Sequence, residues 1–214
     1  MERGRANIDA RLRADERANI RIVGNQVQLI DRNAVDVSKA TNAYKGLVGV
    51  IENHNLTVNY NGLKPGETVK LLESVTEPTG QILTEVTYDL AHAHAGYGVR
   101  YDYSDGTVVY DVFVPVANDM TADGTGGTPV PMPEAISFYH EATGHPLFDW
   151  DATIDYENRV RQDAGVVPQL PRRTGEDHKG VVVRPEPDLI PVQPVRINET
   201  PLPQRPTTPV RPPN

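Results

Sequence analysis

PEAISFYHEATGHPLF (133–148), running into DWDATIDYENRVRQDAG (149–165), is the stretch whose reading decides the fold. Pro133 falls near a first helical position and Glu134 in a first turn, where both are favoured. Ile136, Phe138 and Tyr139 give the predicted helix an apolar side, and Pro146 ends it. A second helix is expected over 152–164, closing at Gly165 in a left-handed C′ position. Between the two lies His140-Glu141-Ala142-Thr143-Gly144-His145, a HExxGH sequence with one residue more between its histidines than the HExxH helix of zinc peptidases. On a regular helix, positions i and i+4 lie about 40° apart and i and i+5 about 140° apart, so two i, i+5 imidazoles do not share one ion. Gly144, with no Cβ, permits the π-type bulge that would bring them together.

The chemistry this pattern points to is metal-assisted hydrolysis. His140 and His145 would hold Zn²⁺ as neutral imidazoles, a carboxylate from the next helix would complete three protein ligands, and an open position would keep a water of lowered pKa. Glu141 would be the general base, taking that water's proton and passing it to the leaving amine. Asp149, Asp151, Asp155 and Glu157 are the candidates for third ligand; Glu157 is preferred, Asp151 comes next, and an i, i+4 salt bridge from Glu157 to Arg161 is the competing use. HEATGH resembles the HExxGH signature of the dipeptidyl peptidase III family. The run FYHEATGHPLF…ATIDYENRVRQDAG…PRR is similar to the metallopeptidase tips of bacterial polymorphic toxins and effector proteases, strongly over 133–173. In those families the metal helix is followed by a short helix with a Glu-Asn and nearby Arg pattern, here Glu157-Asn158-Arg159 and Arg161. The resemblance implies a zincin-like, zinc-dependent peptidase fold acting on a protein or peptide, as a toxin or effector.

Upstream, IRIVGNQVQLI (20–30) reads as a hairpin or bulged strand around Gly24-Asn25. Ala40, Ala43, Tyr44, Leu47, Val48 and Ile51 recur at helical steps, predicting a helix over 36–53 capped by Asp36 or Ser38. Residues 56–61 and 68–75 alternate in period two and are expected to pair through the Gly62–Gly66 turn, and 82–92 is a further strand. GVRYDYSDGTVVYDVFV (98–114) predicts a hairpin with a type I′ turn at Asp105-Gly106. Residues 117–133 are a Gly- and Pro-rich connector without helix. The expected class is therefore α+β: a small, mostly antiparallel sheet packed on a metal-binding helix, over residues 20–180. Residues 1–19 are expected to form a charged arm or exposed helix. Residues 181–214 are expected to form a disordered Pro-rich tail, since 12 of the 19 prolines fall in 168–213.

Composition narrows the partners. Residues 20–180 carry 12 basic against 22 acidic side chains, within a chain of net charge −8. Such a surface repels phosphate, so nucleic acid and anionic membrane are poor partners and a cation is a better one. With no cysteine, thiol catalysis, disulfides and thiolate metal sites are excluded. No apolar run reaches membrane-spanning length and no signal-peptide core follows Met1, so the reading is a soluble chain, exported as an effector or carried in a larger toxin. Other features read as structural. His92 and His94 lack a third ligand, His178 sits in polar linker, and Tyr139 and Tyr156 read as packing. DGTGG (123–127) lacks the Lys of a phosphate loop. PLPQRP (201–206) could dock an aromatic groove. The alternative function is a non-catalytic, β-rich binding module with a structural metal or none, anchored to a partner through that tail.

Overall fold

A computed structural model of the chain describes residues 2–24, 26–64, 69–77, 80–88, 97–102, 105–116, 120–174 and 195–196. The fold is α+β, with several helices and small sheets. Helices α1 (Glu2–Asp9) and α2 (Ala14–Ala18) lead into the hairpin β1 (Ile20–Val23) and β2 (Gln26–Leu29), then α3 (Asn42–Glu52). Five strands follow, β3 (Leu56–Leu63), β4 (Val69–Glu77), β5 (Gly80–Tyr88), β6 (Tyr97–Asp102) and β7 (Val108–Pro115), and then the small pair β8 (Thr121–Asp123) and β9 (Pro129–Pro131). The C-terminal helices are α4 (Glu134–Tyr139), a π turn over His140–Gly144, α5 (His145–Leu147) and α6 (Trp150–Arg161). Of the Pro-rich tail only β10 (Val195–Arg196) is described, paired with Glu85 and Thr84 of β5.

The sheet that supports the site has the order β3-β7-β6, with β7 in the middle. β7 alternates as its sequence predicts: Tyr110, Val112 and Val114 turn inward and join Leu47, Ile136 and Tyr139 in the core. β6 pairs with β7 antiparallel, as expected. The link between them is longer than a two-residue turn, and Gly106 has positive φ while Asp105 does not, so it is not the type I′ turn expected at Asp105-Gly106. β3 runs parallel to β7, from Leu56 opposite Val108 to Leu63 opposite Pro115. The expected hairpin between 56–61 and 68–75 is therefore not formed: β4 takes β5 as its partner, with Glu77 opposite Gly80. Period-two alternation specifies a strand but not its neighbour, and β4 pairs with the strand two residues away in sequence rather than with the more distant β3. This supporting sheet is accordingly mixed, though antiparallel pairs predominate across the fold.

Residues 1–19 differ most from expectation. Ile8 and Leu12 are each 2% exposed and belong to the core, and two of the charged side chains around them, Arg11 and Glu16, are buried with them. Buried Glu16 accepts hydrogen bonds from the Thr41 backbone N–H (2.7 Å) and hydroxyl (2.9 Å) at the start of α3. Arg11 donates to the carbonyls of Val160, Arg161 and Pro168, tying the arm to the end of α6. Arg3 and Asn7 reach Glu134, which also accepts from Tyr60. A charge count sees solvated polarity where tertiary contacts have made buried pairs.

The helix expected over 36–53 is split. Asp36 caps a 3₁₀ turn at Val37–Lys39, and Thr41 caps α3 by accepting from the Tyr44 N–H. Asp163 adds a second cap, accepting from the N–H groups of Asn42 and Ala43. The packing of α3 on the site depends on Gly46, where a Cβ would collide with the hydroxyl of Tyr156 and stand 3.1 Å from Thr143 Oγ1. Gly46→Ala is therefore expected to lower stability by about 1–3 kcal/mol, seen as a lower urea midpoint at unchanged m. An unshifted midpoint would show that α3 does not depend on this close approach.

Candidate metal centre

The helix that bears the histidines is buried on all sides, since every residue from Glu134 to Tyr139 is buried. It lies against α1, α6 and β7, so the solvent-facing side that its sequence leaves room for does not exist. At His140 the helix widens. The N–H of His145 donates to the carbonyl of His140, five residues back, and this one-residue-longer turn brings both side chains to one face. The imidazoles stand edge to face, with ring centres 4.7 Å apart. Thr143 stabilises the bulge: its hydroxyl donates to the Tyr139 carbonyl (2.7 Å), and the Tyr156 hydroxyl lies 2.6 Å from Thr143 Oγ1. The reason for Gly144 differs from the expected one. Its φ of −66° is open to any residue, but a Cβ would stand 2.8 Å from Thr153 Cγ2, so the glycine admits α6 rather than a special backbone.

One ligand atom each from His140, Glu141 and His145 can be chosen so that all lie within 4.8 Å of one another. Glu141 Oε2 is 3.9 Å from His145 Nε2. His140 and His145 offer imidazole nitrogens suited to a borderline divalent ion, and the Glu141 carboxylate, 3% exposed, stands beside them. Burial pushes the Glu141 carboxyl up to about 7; the His140 and Arg173 charges pull against that rise and Glu157 adds to it. Edge strand β6 passes beside it, since a Cβ on Gly98 would be 3.3 Å from Glu141 Oε2.

Glu157 occupies a different position from the other three. Its Oε2 lies 2.8 Å from His140 Nδ1 and accepts from Arg173 Nη1 at 3.0 Å, while Oε1 accepts from Arg161 Nε at 2.6 Å. The i, i+4 ion pair to Arg161 is thus formed, and the carboxylate faces the back of His140. Burial alone would raise Glu157; the hydrogen bond and charge of His140 and the charges of Arg173 and Arg161 override it and bring the carboxyl down to about 2. Of the other acids weighed as ligands, Asp149 caps α6 by accepting from the Ala152 N–H, and Asp151 and Asp155 are exposed. Tyr139 and Tyr156 pack, with Tyr139 donating to the Ile8 carbonyl. His92, His94, His178 and PLPQRP lie outside the described residues.

Local sequence gives no sign of how Arg173 reaches the site. After α6 the chain doubles back, and Asn158 holds the Arg173 peptide at both ends, donating to its carbonyl (2.9 Å) and accepting from its N–H (2.8 Å). Arg173 also bridges Gly124, next to β8.

The two carboxylates give opposite pH signatures in the metal-free chain. A depressed carboxyl stabilises above its unfolded value, so the Glu157 contribution, about 3 kcal/mol, is lost as pH falls from about 4.5 to about 2. The raised Glu141 carboxyl does the reverse, and stability declines as pH climbs from about 4.5 to about 7. Urea unfolding across pH is expected to show the first slope vanish in Glu157→Gln and the second in Glu141→Gln; wild-type slopes in both variants would refute the assignment. No protein-family model, curated protein or solved structure matches this chain.

Proposed function

We propose that this chain is a zinc-dependent peptidase domain that hydrolyses protein or peptide substrates. The observation that carries the reading is the π turn, which gathers buried His140 and Glu141 and half-buried His145 into one cluster. In this proposal His140 and His145 are metal ligands. When bound, the ion supplies Lewis acidity and acidifies water at neutral pH. Glu141 is the general base: its carboxylate takes a proton from the attacking water and returns it to the leaving amine nitrogen. Glu157, preferred as third ligand from sequence, is assigned instead to holding His140 from behind, because both of its oxygens already accept from guanidinium groups. Strand β6, next to Glu141 and at the edge of its sheet among the described residues, offers backbone groups to an extended peptide. A toxin or effector setting follows from the sequence resemblance alone.

The test is metal content and activity measured together. Wild-type protein is expected to hold one zinc per chain and to cleave an unfolded protein in a chelator-sensitive way. His145→Ala is expected to lose the metal. Glu141→Gln is expected to keep the metal while losing about 10²–10⁴-fold in rate. Hydrolysis retained in Glu141→Gln would sink the mechanism. Zinc whose removal unfolds an inactive chain would favour the binding module with a structural metal.

A further inference from the structure

We propose that Arg173 is a positioning residue for His140: the strap that follows α6 carries its guanidinium to the Glu157 carboxylate, and that carboxylate fixes which imidazole nitrogen bears the proton. The inference rests on the peptidase reading only for the use made of His140, not for how His140 is held.

The argument runs through donors and acceptors. Glu157 Oε2 faces two groups at once, His140 Nδ1 at 2.8 Å and Arg173 Nη1 at 3.0 Å. Arg173 can only donate, so Oε2 is held as an acceptor and the nitrogen opposite it must carry hydrogen. His140 is then the Nδ1–H tautomer, and Nε2 keeps the lone pair that a metal requires. Arg161 cannot do this work, because its guanidinium is committed elsewhere: Nε to Oε1, Nη1 to the carbonyls of Pro131 and Pro171, and Nη2 to Met132 Sδ. What places Arg173 is backbone geometry. Asn158 grips its peptide on both sides, Thr174 N–H donates to the Asp123 carbonyl (2.9 Å), and Leu170 N–H donates to the Arg161 carbonyl (3.0 Å). Asn158 directly follows Glu157, so one turn of α6 presents the carboxylate and also clamps the strap that steadies it.

Long-range ¹H–¹⁵N correlation spectra of the histidine rings, recorded on the metal-free full chain at mildly alkaline pH, report the tautomer directly. Wild type is expected to show His140 protonated on Nδ1. Arg173→Met and Asn158→Ala are expected to shift it towards a tautomer mixture, and Arg173→Lys to restore much of the wild-type signature. Zinc affinity, read by chelator competition, is expected to fall by about 10–100-fold in Arg173→Met. A wild-type chain with His140 protonated on Nε2 overturns the proposal, as does a folded Arg173→Met with an unchanged tautomer. If Arg173→Met does not fold, Asn158→Ala and Arg173→Lys decide by the same readout. An Nδ1–H tautomer that depends on Arg173, in a chain that takes up no zinc, would uphold the positioning and sink the peptidase reading.

Discussion

One hydrogen bond sets the geometry of the site: the His145 N–H donates to the His140 carbonyl rather than to the carbonyl one residue nearer. In an α-helical register the two imidazoles would point in directions about 140° apart. The wider turn aligns them, and the surrounding packing holds it open. Thr143 and Tyr156 form a hydroxyl chain to the Tyr139 carbonyl at its entrance; Gly144 lets α6 come close enough to supply Tyr156, and Gly46 lets α3 pack against both hydroxyls. A π turn is rare because its backbone bonds are poorer than those of an α-helix, so its cost is met by tertiary contacts, and these contacts converge on five residues.

The second constraint is charge inside a dry interior. Glu157, Arg161, Arg173 and His140 are almost wholly inaccessible to water, and such a group is stable only because each member's charge or lone pair is used by another. Glu141 has no such cage and is left with a carboxyl near neutrality. Two glutamates on adjacent helices therefore have opposite tendencies: one is held ionised by guanidinium groups, and the other exchanges a proton readily. That separation is how a single fold assigns distinct roles to like residues.

Much of this was legible in the sequence, and the part that was not has a common cause. The HExxGH spacing predicts a widened turn, and one is present at those residues; the β1–β2 and β6–β7 pairings also follow from alternating runs close together in sequence. What local pattern cannot show is partnership over distance. β3 joins β7 instead of β4, Glu16 is buried by Thr41, and Arg173 reaches Glu157 by way of Asn158. Gly144 is instructive, because the residue was recognised for its backbone freedom and is needed for the space it leaves.

The contacts that join α1 and the segment after it to the rest of the domain carry a consequence for when the site comes into being. Arg3 and Asn7 meet Glu134, Arg11 meets the carbonyls at the end of α6, and Asn42 meets Asp163, so these residues find partners about 120–150 positions further along the chain. Contacts of such long sequence separation form slowly, because loop closure precedes any stabilisation. On the ribosome, α3 and the supporting sheet emerge before the histidine-bearing turn exists, and the guanidinium of Arg173 emerges later still. The cluster around Glu141 is therefore assembled only once the chain has been made through residue 173.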